Sequence, residues 1–209
     1  MALADTVVVL DFETTGLSPD EGDRAIEIGA VRMVNGEIVA RFQELMNPGR
    51  RVSSFIENYT GITNTMLSSA DSCGAVMNRF NDFIQDDNLV AHNASFDKRF
   101  LDAEFSRISK TYCGDFSCSL LATRRIFQAA PNHQLGTLVK YNNIESSGGF
   151  HRALYDSEMT AHVWNKMLLS IAKNYSLGEV SFELIQKINK TPKKQIHKLL
   201  TKHAENLNN

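Results

Sequence analysis

Two carboxylates stand at the end of an otherwise apolar stretch: Asp11 and Glu13, in the string DFETTG, follow the β-branched and aliphatic residues 6–10. If residues 6–12 form a strand, its period of two points both acids to one face. Like charges side by side repel, and desolvation at the edge of a buried strand adds to the cost unless a cation offsets it. Oxygen donors without thiolates suit hard divalent ions such as Mg²⁺ or Mn²⁺. Taken alone, the pair reads equally well as solvated acids at a strand end. Thr14, Thr15 and Gly16 come next; they fit a tight turn whose backbone can approach a ligand closely, or simply a turn.

Two further strings carry candidate chemistry. Asp97, in HNASFD, falls in the first turn of an expected helix, where it serves either as a ligand or as a partner of the helix dipole. His92 and Asn93 before it read as loop residues that cap that helix. HRALYD places His151 in a loop with Gly148 and Gly149, and Asp156 in the first turns of a long helix. Five residues is not a same-face helical spacing, so the imidazole belongs to the loop and the carboxylate to the helix. A histidine on a glycine-flanked loop can take a proton from a reacting water while a helix-borne acid stays fixed on a metal. An isolated histidine is otherwise a surface or packing residue.

The elements that must position these groups follow from periodicity. Residues 6–12 read as a strand buried on both faces, and Ala25–Val34 as a second strand. Asn35-Gly36 is a preferred two-residue hairpin turn, after which Ile38, Ala40 and Phe42 alternate with Val39, Arg41 and Gln43. That pattern predicts an antiparallel trio. Helices are expected over 75–84, 95–105, 119–127, Leu135–Tyr141 and 153–172, with a short buried strand at Leu89–Ala91. Phe96, Phe100 and Ala103 form a helical stripe, so Phe96 reads as core before it reads as a base platform. Strands first, then helices alternating with short strands, make an α/β domain with a mixed sheet.

Composition narrows the class. The 209 residues carry 22 basic and 24 acidic side chains, a net charge of -2, which argues against a histone-like or polybasic membrane-surface protein. No apolar run reaches the roughly 20 residues of a membrane span, and the start MALADT lacks the marks of a secretory signal, so a cytoplasmic protein without membrane contact is expected. Cys73, Cys113 and Cys118 have no CxxC spacing and predict neither a disulfide framework nor a zinc site. Charge shifts late: residues 173–209 hold seven lysines against three glutamates, or +4, leaving -6 for the rest. A boundary near 173–178 divides a domain over 1–174 from a basic extension over 175–209, read as two short helices around Pro192. That extension either holds phosphates or is the solvated face of packed helices.

In their order, DFETTG, HNASFD and HRALYD resemble the three exonuclease motifs of the DEDD superfamily in its histidine-bearing (DEDDh) branch. The resemblance spans 7–172 and is close to the epsilon proofreading subunit of bacterial DNA polymerase III and to the exonuclease domain inserted in Gram-positive replicative polymerases. RAIEIGAV, NPGRRV, TGIT and PNHQLGTL follow the same pattern. The set is specific, although each string alone is weak. The resemblance implies a ribonuclease H-like fold, a five-stranded mixed sheet flanked by helices. It makes Asp11, Glu13, Asp97 and Asp156 the acids that hold two Mg²⁺ or Mn²⁺ ions, and His151 the general base. Thr14, Thr15, Gly16 and Leu17 match the segment that grips the terminal nucleotide, with Phe96 stacking or packing beside it.

The implied activity is metal-dependent 3′–5′ exonucleolysis of single-stranded or frayed DNA, releasing nucleoside 5′-monophosphates in proofreading or repair. A 3′–5′ exoribonuclease of the ribonuclease T or oligoribonuclease kind is the alternative. A noncatalytic nucleic-acid or polymerase-binding module is a poorer fit, because clustered acids facing phosphates gain nothing without catalysis. The implied partners are the 3′ end of a single-stranded nucleic acid and a DNA polymerase subunit. Two departures stand out: Thr60 replaces the histidine that many epsilon relatives carry before Gly61, and nothing after Ala172 resembles a clamp-binding box.

Overall fold

The apolar run 7–10 is fully buried and becomes the middle of a sheet, strand β1 (Val7–Thr14), in a computed structural model that describes residues 2–146, 149 and 151–207. β2 (Ala25–Val34) and β3 (Glu37–Leu45) pair antiparallel with it in turn, joined by the expected Asn35-Gly36 turn with both residues at positive φ. β4 (Leu89–Ala91) and β5 (Phe116–Cys118) add in parallel, giving the order β3-β2-β1-β4-β5. The expected five-stranded mixed sheet is therefore present. β5 is the strand that periodicity misses, since three residues are too few to show one.

Helices cover both faces. α1 (Ser54–Thr60), α2 (Asn64–Ser68), α3 (Cys73–Ile84) and α4 (Ser95–Arg107) lie between β3 and β5 in sequence, followed by α5 (Ser119–Ile126), α6 (Leu135–Tyr141) and the 23-residue α7 (Ala153–Tyr175). α1 and α2 were not expected. Each has one or two turns, begins on a side-chain cap (Ser53 accepting from Ile56 N, Thr63 accepting from Met66 N), and α1 ends at Gly61 in the left-handed region. Their stability comes from capping and from Ile62 and Leu67 packed with Ile26 and Val52, not from a long apolar stripe.

The period of β1 sorts the core into two. Val7 and Val9 join Val31, Met33, Trp164 and Ile171 on the α7 side, whereas Val8, Leu10 and Phe12 join Phe80, Phe100 and Phe105 on the α3–α4 side. Continuing the odd series sends Asp11 and Glu13 toward α7. The helix can reach them because Gly29, paired with Asp11 across β1 and β2, has no side chain: a Cβ there would strike the backbone of Ala153 and Leu154. Ser157 Oγ donates to Gly29 O at 2.9 Å and ties the crossing.

The segment after 174 enters the same core. α8 (Phe182–Lys190) and α9 (Ile196–Leu207) flank Pro192 as expected, and Phe182, Leu184, Ile185 and Ile188 are buried in the Trp164 cluster. Ala4 N donates to Val180 O and Phe182 N to Ala2 O, so the first residues are laced to the segment that opens α8. Among the described residues no helix is long and apolar enough to cross a membrane.

Replacing Gly29 by alanine forces the first turn of α7 off the sheet. We expect Gly29→Ala to lose about 3 kcal/mol or more of stability by urea unfolding, and to weaken divalent-ion binding, because Asp156 rides on the displaced turn. A variant as stable as the parent would mean that α7 can shift without cost.

Candidate active site

All ten residues singled out from the sequence line one cleft of about 680 Å³: Asp11, Glu13, Thr14, Thr15, Gly16, Leu17, Phe96, Asp97, His151 and Asp156. Asp11, Glu13 and Asp156 each offer a carboxylate oxygen, and these oxygens lie within 4.8 Å of one another. Asp97 falls outside that mutually close set. It is buried at the start of α4, and its Oδ1 accepts from Phe12 N at 3.1 Å, which ties the second motif to the strand between the two acids of the first.

The electrostatics are those of crowded, unpaired acids. Asp11 is held well above the usual carboxylate range, chiefly by burial and then by the charges of Asp97, Asp156, Glu13 and Glu27. Burial pushes Glu13 up to about 8, with Asp156, Glu27 and Asp97 adding and Arg152 opposing. Burial also raises Asp97 and Asp156, partly offset by the backbone hydrogen bonds that each accepts. Among the described residues neither Asp11 nor Glu13 is paired with a cation or accepts a hydrogen bond. A compact oxygen-only donor set that resists ionising by itself fits a hard divalent cation, which would be held by Asp11, Glu13 and Asp156.

The supports are long-range and built of arginine and carboxylate. Glu27, fully buried and opposite Glu13 in the β1–β2 register, accepts from Arg152 Nη2 at 2.7 Å, Ala153 N at 3.0 Å and Gln43 Nε2 at 2.8 Å. It thereby satisfies a free N–H at the start of α7, whose own N-cap residue Arg152 makes no side-chain cap. His151 immediately precedes this clamp and Asp156 lies on the helical turn that follows it, and His151 N donates to Asp156 Oδ2 at 2.9 Å with His151 at φ 72°. Gly149 is described beside it; Gly148, expected in the same loop, lies outside the described residues. A second clamp, Glu104 with Arg24 Nε at 2.8 Å and Nη2 at 2.9 Å, anchors β2 to α4.

The 14–18 turn is braced from behind. Asp23 accepts from Thr15 Oγ1 at 2.9 Å, Ser18 N at 3.1 Å and Arg50 Nη2 at 2.6 Å, and these contacts lower its pKa although its partial burial acts the other way. Gly16 rests against that carboxylate so closely that a Cβ would overlap it. Thr14 Oγ1 donates to Gly16 O at 2.6 Å, and Leu17 is left 76% exposed at the mouth of the cleft. Phe96 is half-buried against Phe100, their ring centres 5.0 Å apart, and one face still borders the cleft, so it both packs and lines.

His92 is not a cap. The N-cap residue of α4 is Ala94, with no side-chain cap, and the imidazole instead spans to Ser119 Oγ at 2.7 Å and the His133 carbonyl at 2.9 Å. The carbonyl only accepts, so Nε2 carries the proton and Nδ1 accepts from Ser119. Burial pushes this group down to about 4 and keeps it neutral. Sequence reading noted Thr60 only as a departure before Gly61 and passed over Phe55, Ile56 and Tyr59 of α1, which with it form the opposite wall. The tyrosine ring lies 4.1 Å from the imidazole of His151, centre to centre.

The exonuclease family model RNase_T matches residues 8–164, and the chain belongs to that family. It is similar to "DNA polymerase III PolC-type" of Bacillus cereus (40% identical over 169 residues, 80% of this chain) and of Bacillus subtilis (40% over 171 residues, 81% of this chain). The chain spans about 12% of the length of those relatives. Among solved structures, Exonuclease X in complex with 5′ overhanging duplex DNA superposes with a TM-score of 0.68 at 24% identity, covering 88% of this chain and 99% of that one. The nuclease domain of 3′hExo, described as a DEDDh family member bound to rAMP, gives 0.67 at 21% identity, covering 79% and 92%. These likenesses confirm the ribonuclease H-like fold.

Because these acids bind protons more tightly folded than unfolded, the folded state holds protons that the unfolded state has lost between about pH 4.5 and 8. Stability of the metal-free protein is therefore greatest at the acid end of that window and falls as pH rises through it. Melting temperatures in chelator should decline over that range, and Mg²⁺ or Mn²⁺ should reduce the decline; Asp11→Asn should show a weaker slope and a smaller metal effect. A flat profile in chelator would mean that neither burial nor mutual repulsion holds these carboxyls above their usual range.

Proposed function

We propose that the chain is a 3′–5′ exonuclease that removes nucleoside 5′-monophosphates from single-stranded or frayed DNA ends, using two Mg²⁺ or Mn²⁺ ions, in proofreading or repair. The observation that carries this reading is the convergence of Asp11, Glu13 and Asp156 within 4.8 Å, in one cleft with Asp97 and His151. The family model supports the nuclease chemistry, and the PolC-type relatives favour DNA over RNA. Association with a DNA polymerase subunit in the cytoplasm belongs to the same reading, as does the division into an exonuclease domain over 1–174 and a basic helical extension over 175–209.

Asp11, Glu13 and Asp156 would hold the cations, with Asp97 placed next to them and able to act through water. A divalent cation there supplies Lewis-acid activation of water and neutralises charge at the phosphate. The chain's own groups do the rest. His151 sits on an exposed loop whose backbone is tied to Asp156, so its imidazole can accept the proton of the attacking water without leaving the cleft. Water oxygen bonds to phosphorus as the bond from phosphorus to the 3′ oxygen of the preceding nucleotide breaks; the departing oxygen takes up a proton and leaves a new 3′ hydroxyl. The braced 14–17 turn presents backbone and the exposed Leu17 to the terminal nucleotide, while the arginine clamps keep the carboxylates in register.

The test uses the purified chain with 5′-labelled single-stranded DNA, recessed and mismatched duplexes and matching RNA, with Mg²⁺, with Mn²⁺ and with chelator. Stepwise shortening from the 3′ end that requires the cation is expected, faster on DNA than on RNA. Asp156→Asn should abolish turnover, and His151→Ala should lower kcat by about 10²- to 10⁴-fold while metal-induced stabilisation persists. Preference for RNA would move the assignment to an exoribonuclease, and cation-independent cleavage would overturn it.

A further inference from the structure

The charge shift toward the end of the chain has a definite place in the fold. A pocket of about 490 Å³ opens where the extension meets the body of the protein, between the end of α5, Tyr141 of α6, the last turns of α7 and the start of α9. Arg125, Lys193, Lys194 and His197 line it with the rings of Tyr141 and Tyr175, and among the described residues no aspartate or glutamate does. Arg125 is fixed in place: its Nε donates to Thr191 O at 2.7 Å and its Nη1 to Leu121 O at 2.9 Å. Tyr175 Oη lies 3.3 Å from His197 Nδ1, and Tyr141 rests against Phe127 with ring centres 5.8 Å apart.

Arginines elsewhere in the chain meet carboxylates: Arg24 meets Glu104, Arg32 meets Asp87, Arg41 meets Glu158 and Arg152 meets Glu27. Among the described residues Arg125, Lys193 and Lys194 meet none. A guanidinium held by two carbonyl oxygens keeps its whole charge, and the two lysines beside it add to a field that no acid cancels. The first residues of α9 bring a helix N-terminus, whose partial charge is also positive. A solvated helical face intersperses its lysines with acids, as Lys187 pairs with Glu183 on α8. Here the positive groups instead converge on a cavity, which suits phosphate oxygens. The pocket is remote from the carboxylates. Asp156 lies in the first turn of α7 and Asn174, which lines the pocket, in the last, a span of about 27 Å along the helix. A single strand advances about 3.4 Å per nucleotide when stacked. With its 3′ end at the carboxylates, it reaches this distance on the order of eight nucleotides back.

We propose that this pocket is a second nucleic-acid site, which binds the phosphodiester backbone of the strand upstream of the end being trimmed. This rests on the exonuclease reading above. The first 172 residues sum to -6 and repel a polyanion wherever no cation is bound, whereas residues 173–209 carry +4, of which Lys193 and Lys194 bring their share to this cavity. The site holds long strands and is out of reach of short ones.

The experiment uses the intact chain carrying Lys193→Ala together with Lys194→Ala; both side chains are exposed, and an unchanged melting temperature checks that the fold is kept. A fluorescein-labelled oligothymidylate of about twenty residues spans the distance at about 3.4 Å each. Its anisotropy is read in chelator, so that no metal draws the strand to the carboxylates. Affinity should fall about tenfold in the alanine pair, and the slope of log K against log salt should shrink by about 1.4, two phosphate contacts at about 0.7 each. Lys193→Arg with Lys194→Arg should bind like the parent. With Mg²⁺, KM for the long oligonucleotide should rise about tenfold, while kcat and KM for trithymidylate, too short to reach the pocket, stay at the parent values. Unchanged affinity and salt slope, or equal KM changes on the two lengths, would overturn the site. Thymidine 5′-monophosphate is titrated separately by calorimetry: binding that the alanine pair loses while keeping its affinity for the long strand would make a free mononucleotide the ligand. Displacement of the oligonucleotide by polyglutamate at equal charge would make it an acidic protein; either result overturns the proposal. If the parent chain cleaves no trithymidylate, the exonuclease reading fails while the anisotropy comparison still decides the pocket.

Discussion

The arrangement depends on one electrostatic constraint: Asp11, Glu13 and Asp156 are brought together where neither water nor an arginine can neutralise them fully. β1 imposes it. The same alternation that sends Val7 and Val9 into the core beneath α7 sends the next two odd positions, both acidic, to the edge of that core. A strand buried on both faces does not twist freely to expose them, and α7, admitted by Gly29, closes over them with a third acid. The cost is borne by about fifty buried apolar residues elsewhere in the sheet and its helices, which is the ordinary relation between a site and the scaffold beneath it.

Much of this is legible in the chain before it folds, for a definite reason. The acids and His151 occur in three short strings, each at the end of a strand or the start of a helix, where polar residues next to apolar runs are conspicuous. The order of the strings carries the family, and the family supplies the proximity that no single string contains. The trio β1 to β3 is legible because β2 and β3 are long enough to alternate and are joined by Asn35-Gly36.

What escapes is held by partners distant in sequence or by elements too short for a period. Glu27 and Arg152 are 125 residues apart and Arg24 and Glu104 are 80 apart, and nothing local marks either pair. α1 has seven residues, too few to show a helical period, so the two exposed aromatics of that wall, Phe55 and Tyr59, are missing from the sequence reading. His92 was visible but its task was not: a histidine three residues before a helix resembles a cap, and only the parallel placement of β5 brings Ser119 within reach of its ring.

The buried carboxylates divide by what neutralises them. Glu27 and Glu104 each receive an arginine fork and a backbone N–H, and each joins two elements. Asp11 and Glu13 receive neither, although Arg152 stands close enough to ease the ionisation of Glu13. The arginines are therefore spent one layer out, on acids that fix geometry. Moving Arg152 inward to pair with Glu13 would relieve the repulsion, but it would release Glu27, the start of α7 and with it the His151 loop. Positive charge in this fold secures the frame, and the negative charge it leaves uncompensated is confined to the place where a mobile cation can supply the balance.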